Sequence, residues 1–188
     1  DGAADAASRP AALREWSFAC PDWQDRIRTG RPLIPDLPLF KGESDMAVAF
    51  FDRIRLPDVI DTPLLRDACG DWFRDIVRAL FGSRDPATNI RYVREIFALV
   101  GKGNSKTTYS AALMVVALLM NVRRRVEFHF LAPVQKTAEQ AYDSAKGMIE
   151  ADPQLNARFH CRDHKKEIFD RVNEAKLAAT RVSARRRE

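Results

Sequence analysis

The sequence predicts an α/β fold in which helices flank a parallel sheet, and three features of its second half support that prediction. An apolar run rich in β-forming residues, 96–100, ends in a glycine-containing turn. A long apolar helix is predicted directly after this turn, over residues 106–121. A second apolar strand, 126–132, precedes a helical pattern over residues 137–151. This order of strand, helix, strand and helix is typical of a right-handed βαβ unit with a parallel sheet.

The turn between the first predicted strand and its helix has the layout of a phosphate-binding loop. It contains two glycines, an asparagine and a serine, and Lys106-Thr107-Thr108 opens the helix. Backbone N–H groups of such a turn point at one spot, where the helix dipole adds partial positive charge. Lys106 can add a full charge, and the Thr107 hydroxyl can bind the magnesium ion that accompanies a nucleotide. The alternative is an ordinary strand-to-helix connection with a solvated lysine.

The loop does not satisfy the strict motif G-x-x-x-x-G-K-[S/T]. With Lys106 as the motif lysine, the two glycines would fall at Val100 and Ser105. Gly101 and Gly103 lie inside the loop instead, where they still permit a tight turn. Spacing alone therefore leaves both nucleotide binding and a plain connection open.

Composition is that of an ordinary soluble globular protein. The 188 residues are 46% apolar and 30% charged, which suits one domain or one and a part. No apolar run reaches the roughly 20 residues that cross a bilayer, and the acidic N-terminus is not expected to be a signal peptide. The three cysteines lie at wide spacings, so no disulfide framework is predicted and a reducing cytoplasm is the expected location.

Positive charge is concentrated toward the C-terminus, although the net charge is only +5. Residues 158–188 contain ten Lys or Arg and five Asp or Glu. Such a run permits an anionic partner such as DNA, but a charged helix face or a solvated tail explains it equally simply. The run Arg123–Arg125 could face DNA or the nucleotide of a neighbouring subunit, but cations that complement the dipole at the end of the predicted apolar helix are the favoured interpretation.

His160, Cys161 and His164 lie close together in the sequence and suggest a zinc site. A structural zinc site needs four ligands, usually in paired Cys or His clusters, and the sequence holds no second cluster. Surface residues on a short strand are therefore the favoured interpretation.

The chain is predicted to have three parts. These are a disordered tail over residues 1–10, a mostly helical segment over 11–88 and the α/β core over 89–188. Pro32, Pro35 and Pro38 predict an extended connector over residues 31–40 within the helical segment.

Individual elements outside the βαβ unit follow from capping and breaking signals. Ser44 is predicted to cap a helix over 45–54, and Thr62-Pro63 to open a helix that Gly82 ends. Asp152-Pro153 is predicted to break the helix before it. The remaining predictions are a helix over 11–27 and short strands over 157–161, 167–169 and 175–182.

Two segments of the α/β core, in this order, resemble the large terminase subunit of tailed bacteriophages. The first is Phe97-Ala-Leu-Val-Gly-Lys-Gly-Asn-Ser-Lys-Thr-Thr108, which is similar to the deviant phosphate loop of that family. The second is Phe130-Leu-Ala-Pro-Val-Gln-Lys-Thr-Ala-Glu-Gln-Ala-Tyr142, which is similar to the family's next strand and helix. A third segment, 70–82, resembles the helix before the ATPase core. The likeness covers about residues 63–170.

This resemblance implies a P-loop NTPase-type core that binds ATP with Mg²⁺. Lys106 would contact the β- and γ-phosphates, and Thr107 would hold the magnesium ion through its hydroxyl. Asn104 matches the loop asparagine of the family, and Lys102 falls where a basic residue reaches the γ-phosphate. The implied nucleotide-binding residues are Lys102, Gly103, Asn104, Ser105, Lys106, Thr107 and Thr108. Two of them depart from the family pattern, since Ser105 replaces a glycine and Gly103 a basic residue.

The resemblance also implies a function, namely the ATPase of a motor that moves double-stranded DNA into a capsid. Implied partners are double-stranded DNA, a small terminase subunit, a portal protein and further copies in a ring, in a bacterial cytoplasm and without a membrane. No apolar run ends in the Asp-Glu pair that hydrolysis requires, and no nuclease carboxylate cluster follows. The chain is therefore expected to be the front part of such a subunit, with an incomplete sheet and no catalytic residue of its own.

Two alternatives stay open. The chain could be a non-catalytic remnant or interaction module whose residues 11–81 dock to a small terminase or portal. A helicase-type ATPase is the third possibility, although no helicase motif follows the loop.

Overall fold

A computed structural model describes residues 21–32, 34 and 38–181. The helices in that part of the chain are α1 (Trp23–Arg28), α2 (Lys41–Arg53), α3 (Leu65–Ala68), α4 (Asp71–Gly82), α5 (Lys106–Met120), α6 (Gln135–Glu150) and α7 (Pro153–Arg158). The strands are β1 (Glu127–Ala132), β2 (Phe159–Arg162), β3 (Glu167–Asp170) and β4 (Lys176–Arg181), and a 3₁₀ turn spans Asp163–Lys165. The predicted tail, the first half of the predicted helix 11–27 and the terminal arginine run lie outside the described residues.

The strands form a four-stranded mixed sheet in the order β1-β4-β3-β2. Strand β1 runs parallel to β4, with Glu127 opposite Lys176 and Ala132 opposite Arg181. The other two pairs, β3 with β4 and β2 with β3, are antiparallel. The predicted α/β class with helices beside a sheet is confirmed, as are the strands predicted after residue 156, within a few residues. The prediction of a parallel sheet is wrong for two of the three strand pairs of the described sheet, because β2, β3 and β4 are joined in antiparallel order and only β1 and β4 run parallel.

Helix α6 covers one face of this sheet. It contacts both β1 and β4, and Phe130 and Leu177 are buried on that face. The buried side of the helix consists of Ala138, Ala141, Tyr142, Ala145, Met148 and Ile149. This spacing of three and four residues is the helical stripe predicted from the sequence.

The predicted strand at residues 96–100 is wrong. These residues have no regular secondary structure, and the side chains of Phe97 and Leu99 are 91% and 88% exposed. A strand needs a neighbouring strand to satisfy its backbone groups, and among the described residues β1 pairs only with β4. The parallel pair of the structure is therefore β1 with β4, and the predicted βαβ unit through residues 96–100 is not formed.

The described residues divide into two compact units. Residues up to Val48 and the segment Gly70–Ala98 form the first, while Ala49–Cys69 and the residues from Leu99 onward form the second. The first unit is helical, with α1, the first part of α2 and all of α4. The second unit holds the sheet together with α3, α5, α6 and α7.

Ser44 is not an N-cap, because α2 begins at Lys41 and places Ser44 inside the helix. Ser44 is buried, and a Cβ on Gly82 would lie 2.6 Å from the Cβ of Ser44. The backbone N–H of Phe40 donates to the carbonyl of Gly82 at 2.8 Å. The serine is therefore a small residue at a close contact between α2 and α4, a role that its capping propensity does not reveal.

The single helix predicted to run from Pro63 to Phe81 is two helices, α3 and α4. Cys69 and Gly70 adopt extended backbone angles between them, with ψ of 136° and 151°. A Cβ on Gly70 would lie 2.8 Å from Cδ1 of Trp72, so glycine gives the indole the room it occupies. Pro63 precedes α3, and its carbonyl accepts a hydrogen bond from the N–H of Leu56 at 2.9 Å.

Asp152-Pro153 begins a helix as well as ending one. The Asp152 carboxylate accepts hydrogen bonds from the N–H groups of Gln154 and Leu155 at 2.8 and 3.1 Å, and Pro153 occupies the first turn of α7. This is the capping arrangement that favours Asp followed by Pro at a helix start. The sequence prediction missed α7 because it took the proline only as a breaker.

Asp163 ties the turn after β2 to α6. Its Oδ1 accepts a hydrogen bond from the fully buried Tyr142 at 3.0 Å, and Lys146 donates to both carboxylate oxygens at 2.9 and 2.7 Å. The hydrogen bond from Lys146 is the main cause that lowers the pKa of the Asp163 carboxyl, followed by the one from Tyr142. Burial, and then the hydrogen bond to Asp163, raise the pKa of the Tyr142 hydroxyl.

We expect Asp163 to contribute to the loss of folding stability at low pH. A carboxyl whose pKa is lowered by folding stabilises the protein above its unfolded pKa of about 3.9, and this contribution is lost as the pH falls through the folded value. Asp163→Asn should therefore be less stable than wild type near neutral pH and show a smaller further loss below about pH 4. Urea unfolding across that range measures the effect, with the exposed Asp58→Asn as the matched control. Parallel stability curves for wild type and Asp163→Asn would contradict it.

Candidate functional site

The loop before α5 leaves backbone donors free at the start of that helix. Ser105 precedes the helix, and its carbonyl accepts the first helical hydrogen bond, from the N–H of Tyr109 at 2.9 Å. The N–H groups of Lys106, Thr107 and Thr108 consequently have no partner within the helix. Together with the helix dipole, three such groups make a concentration of partial positive charge that suits an anion.

Ser105 has a backbone conformation that usually belongs to glycine. Its φ of 50° and ψ of 25° lie in the left-handed region, and Gly103 also has a positive φ of 88°. Ser105 stands where the strict phosphate-loop motif has its second glycine. The non-glycine residue thus takes the left-handed conformation at a cost of about 1–2 kcal/mol, and the loop turns sharply into the helix without that glycine.

Lys106 lies over the loop that precedes it. Its ammonium donates to the carbonyls of Val100 and Gly101, the second at 3.0 Å. The Asn104 amide donates to the same Gly101 carbonyl at 3.2 Å. A lysine ammonium has three donors, so these contacts hold the charge in place and leave one donor for another group.

An open cavity of about 240 Å³ adjoins the loop. The first turns of α5 and α6 and the carboxyl end of β1 form its walls, and Lys106 and Thr107 line it. In α/β sheets, ligands bind beyond the carboxyl ends of the strands. The cavity is also lined by Ser110, Phe130, Leu131, Ala132, Thr137, Ala138 and Ala141, none of which is acidic.

The structure brings two of the predicted site residues into the lining of this cavity and leaves the others outside it. Of the seven predicted residues, Lys106 and Thr107 line the cavity. Thr108 is half-buried and is not part of the lining. Lys102, Gly103, Asn104 and Ser105 are exposed in the loop.

Sequence reasoning missed two hydroxyl residues that line the same cavity, Ser110 and Thr137. Ser110 lies three residues after Thr107 and hence on the same side of α5. That spacing is a sequence signal, whereas the approach of Thr137 on α6 depends on the tertiary fold.

The arginine run after α5 is not a free basic patch. Arg124 and Arg125 donate to the two carboxylate oxygens of Glu174 at 2.9 and 2.6 Å. The hydrogen bond from Arg125 is the main cause that lowers the pKa of the Glu174 carboxyl. These contacts join the turn after α5 to the turn before β4, so two of the three arginines of this run are ion-paired.

Among the described residues, no group of three His, Cys, Asp or Glu is placed to hold a metal ion. Burial is the main cause that raises the pKa of the Cys161 thiol to about 11, which disfavours the thiolate that zinc requires. No helix in the described part of the chain has the length and apolar character needed to cross a membrane.

Comparison with known proteins bears on the fold. No protein-family model and no curated protein sequence matches the chain. Among solved structures, the crystal structure of the HK97 bacteriophage large terminase matches with a TM-score of 0.59 and 16% identity. The match covers 75% of this chain and 28% of that chain, so this chain spans little more than a quarter of the other's length. At that identity the likeness shows a terminase-like α/β fold and no particular activity.

Proposed function

We propose that this chain binds ATP with Mg²⁺ at the loop 101–108 and is the ATP-binding part of a phage DNA-packaging motor of the large terminase type. The observation that carries the proposal is the position of Lys106 and Thr107. Both line a cavity at the start of α5, beyond the carboxyl end of β1. The terminase-like fold supports the choice of this ATPase class over other phosphate-binding proteins.

In this proposal the phosphates lie against the start of α5. The free N–H groups of the first helical turn donate to phosphate oxygens, and the Lys106 ammonium adds a charge-assisted hydrogen bond to the β- and γ-phosphates. Lys102 lies in the exposed loop, from which it can extend to the γ-phosphate. The Thr107 hydroxyl would hold Mg²⁺, which neutralises phosphate charge when it is bound.

The wider role is also part of the proposal, and it rests on the resemblance to large terminases. Copies of the motor subunit would form a ring, and ATP hydrolysis between neighbours would move double-stranded DNA through a portal into a capsid. A small terminase subunit would select the DNA. The resemblance of the loop and of residues 130–142 to large terminases supports this role, together with the fold match.

Equilibrium titration with a fluorescent ATP analogue, with and without Mg²⁺, tests the binding proposal. Saturable binding that unlabelled ATP displaces and that Lys106→Ala weakens is the expected result. Equal binding by wild type and Lys106→Ala would contradict the assignment of the loop.

A second candidate is an interaction module, and the apolar surface just before the loop favours it. Ile96 and Phe97 are 41% and 91% exposed. Large apolar side chains at neighbouring positions on the surface often mark a protein contact. If the titration shows no nucleotide binding, binding of a small terminase or portal protein should be compared between the wild-type chain and Phe97→Ser. This candidate expects the substitution to weaken that binding.

A further inference from the structure

A short loop after α2 presents two apolar side chains to solvent between two acids. Its sequence is Asp58-Val59-Ile60-Asp61, and Val59 and Ile60 are 47% and 89% exposed. Neither carboxylate has a hydrogen bond or an ion pair with another described residue. Neighbouring apolar side chains on a surface often mark a contact with another protein. The acids on either side favour a partner surface that carries positive charge.

Hydrogen bonds fix the base of this loop. The N–H of Leu56 donates to the carbonyl of Pro63 at 2.9 Å, and the N–H of Thr62 donates to the carbonyl of Val59 at 3.0 Å. Asp61 and Thr62 both have a positive φ, of 67° and 43°, which is rare for a β-branched residue such as threonine. A loop that is already fixed loses little conformational entropy when it binds a partner.

The second compact unit, which contains this loop, also has a cavity between the ends of α2 and α5 and helix α7. The cavity has a volume of about 210 Å³, and its apolar lining consists of Phe50, Ile54, Leu119 and Leu155. Small-molecule pockets are larger, at roughly 300–1,000 Å³, whereas an apolar cavity of about 150 Å³ binds one benzene molecule. The cavity therefore suits one large apolar side chain.

Arg53 is the charged side chain of this lining that has no partner in the described part of the chain. The other two charged residues of the lining are Asp152 and Arg158. The Asp152 carboxylate accepts from two backbone N–H groups at the start of α7, and Arg158 pairs with the buried Asp170 at 2.7 Å. A carboxylate next to an inserted apolar side chain would give Arg53 a charge-assisted hydrogen bond.

We propose that the loop 58–61 of one copy of this chain inserts Ile60 into the cavity of a second copy, where a carboxylate of the loop pairs with Arg53. None of the residues 58–61 lines the cavity of its own chain. Because loop and cavity are separate surfaces, the contact is head-to-tail, and repetition of such a contact closes into a ring or extends into a filament. The inference rests on the proposed function only for the choice of a further copy as the partner.

Sedimentation velocity without nucleotide, over a series of protein concentrations, tests the contact. The wild-type chain should self-associate, and Ile60→Ser and Arg53→Glu should each weaken the association about 10-fold or more, as expected for a central anchor of an interface. Phe97→Ser and Arg28→Glu change exposed side chains elsewhere and should leave the association intact. Ile60 and Arg53 are themselves exposed, and circular dichroism of each variant checks that the fold is kept.

A mixture of the Ile60→Ser and Arg53→Glu chains tests the head-to-tail geometry. The first chain keeps an intact cavity and the second an intact loop, so the mixture should form a 1:1 pair and nothing larger. A wild-type chain that stays monomeric would overturn the inference. So would a mixture that stays monomeric while the wild type associates, or an equal loss of association in Phe97→Ser.

The outcomes for this contact and for the nucleotide site are independent. Lys106→Ala should self-associate like wild type while it binds ATP more weakly. If Lys106→Ala leaves ATP binding unchanged, the nucleotide site fails, and loss of association in Ile60→Ser would still support the contact. If ATP binding depends on Lys106 but Ile60→Ser and Arg53→Glu associate like wild type, this inference alone is overturned.

Discussion

Lys106→Ala is expected to weaken ATP binding about 10- to 100-fold. Hydrogen bonds to charged groups contribute about 1.5–3 kcal/mol, and each 1.4 kcal/mol is tenfold in affinity. The carbonyls of Val100 and Gly101 hold the Lys106 ammonium over the loop, and Lys106 also lines the cavity. Lys106→Arg should bind with intermediate affinity, because it keeps the charge but not the compact ammonium.

Titration of both variants with a fluorescent ATP analogue measures this effect. Lys165→Ala removes an exposed lysine from the 3₁₀ turn and is the matched control, expected to bind like wild type. If Lys165→Ala and Lys106→Ala lose ATP affinity to a similar degree, the effect of Lys106 is only general charge attraction. Circular dichroism of each variant excludes unfolding as the cause.

Asp170→Ala is expected to destabilise the protein by about 3 kcal/mol, toward the lower end of the range for breaking a buried ion pair. Asp170 is fully buried at the end of β3. Its carboxylate accepts from Nη2 of Arg158 at 2.7 Å and from the N–H of Val172 at 2.9 Å. Removal of the carboxylate leaves the guanidinium and that N–H without their partner. The Arg158 side chain is 27% exposed, so water recovers part of the loss.

Urea unfolding measures this loss of stability. Arg171→Ala removes a neighbouring exposed arginine that donates to a backbone carbonyl, and should change stability by less than about 0.5 kcal/mol. The double variant Arg158→Ala/Asp170→Ala should be less destabilised than the sum of the two single variants, since each single change leaves one partner uncompensated. Additive single effects would show that the pair does not act as a unit.

Elements whose signal is local could be predicted from the sequence. The apolar stripe of α6 and the start of α5 at Lys106 follow from periodicity and composition, and the structure agrees with both. Residues 96–100 have the composition of a strand, but a strand also requires a partner that composition does not supply. The break at Gly70 was missed because it depends on the space that the Trp72 indole occupies.

The candidate site could likewise be predicted only where its signal is local. The adjacency of Lys106 and Thr107 in sequence, next to a glycine-containing turn, was enough to propose them. The position of Thr137 at the cavity could not be predicted from the sequence, because only the packing of α6 beside α5 brings it there. Arg125 and Glu174 are 49 residues apart, so their ion pair could not be predicted from sequence spacing either.

The central claim is that nucleotide phosphates bind at the start of α5, and backbone amide shifts test it most directly. In a ¹H–¹⁵N correlation spectrum of the wild-type chain, titration with Mg²⁺ and ATP should move the amides of residues 101–108, because their N–H groups would donate to phosphate. Adenosine without phosphates should leave these amides in place. Shifts confined to other parts of the chain, or equal shifts with adenosine, would contradict the account.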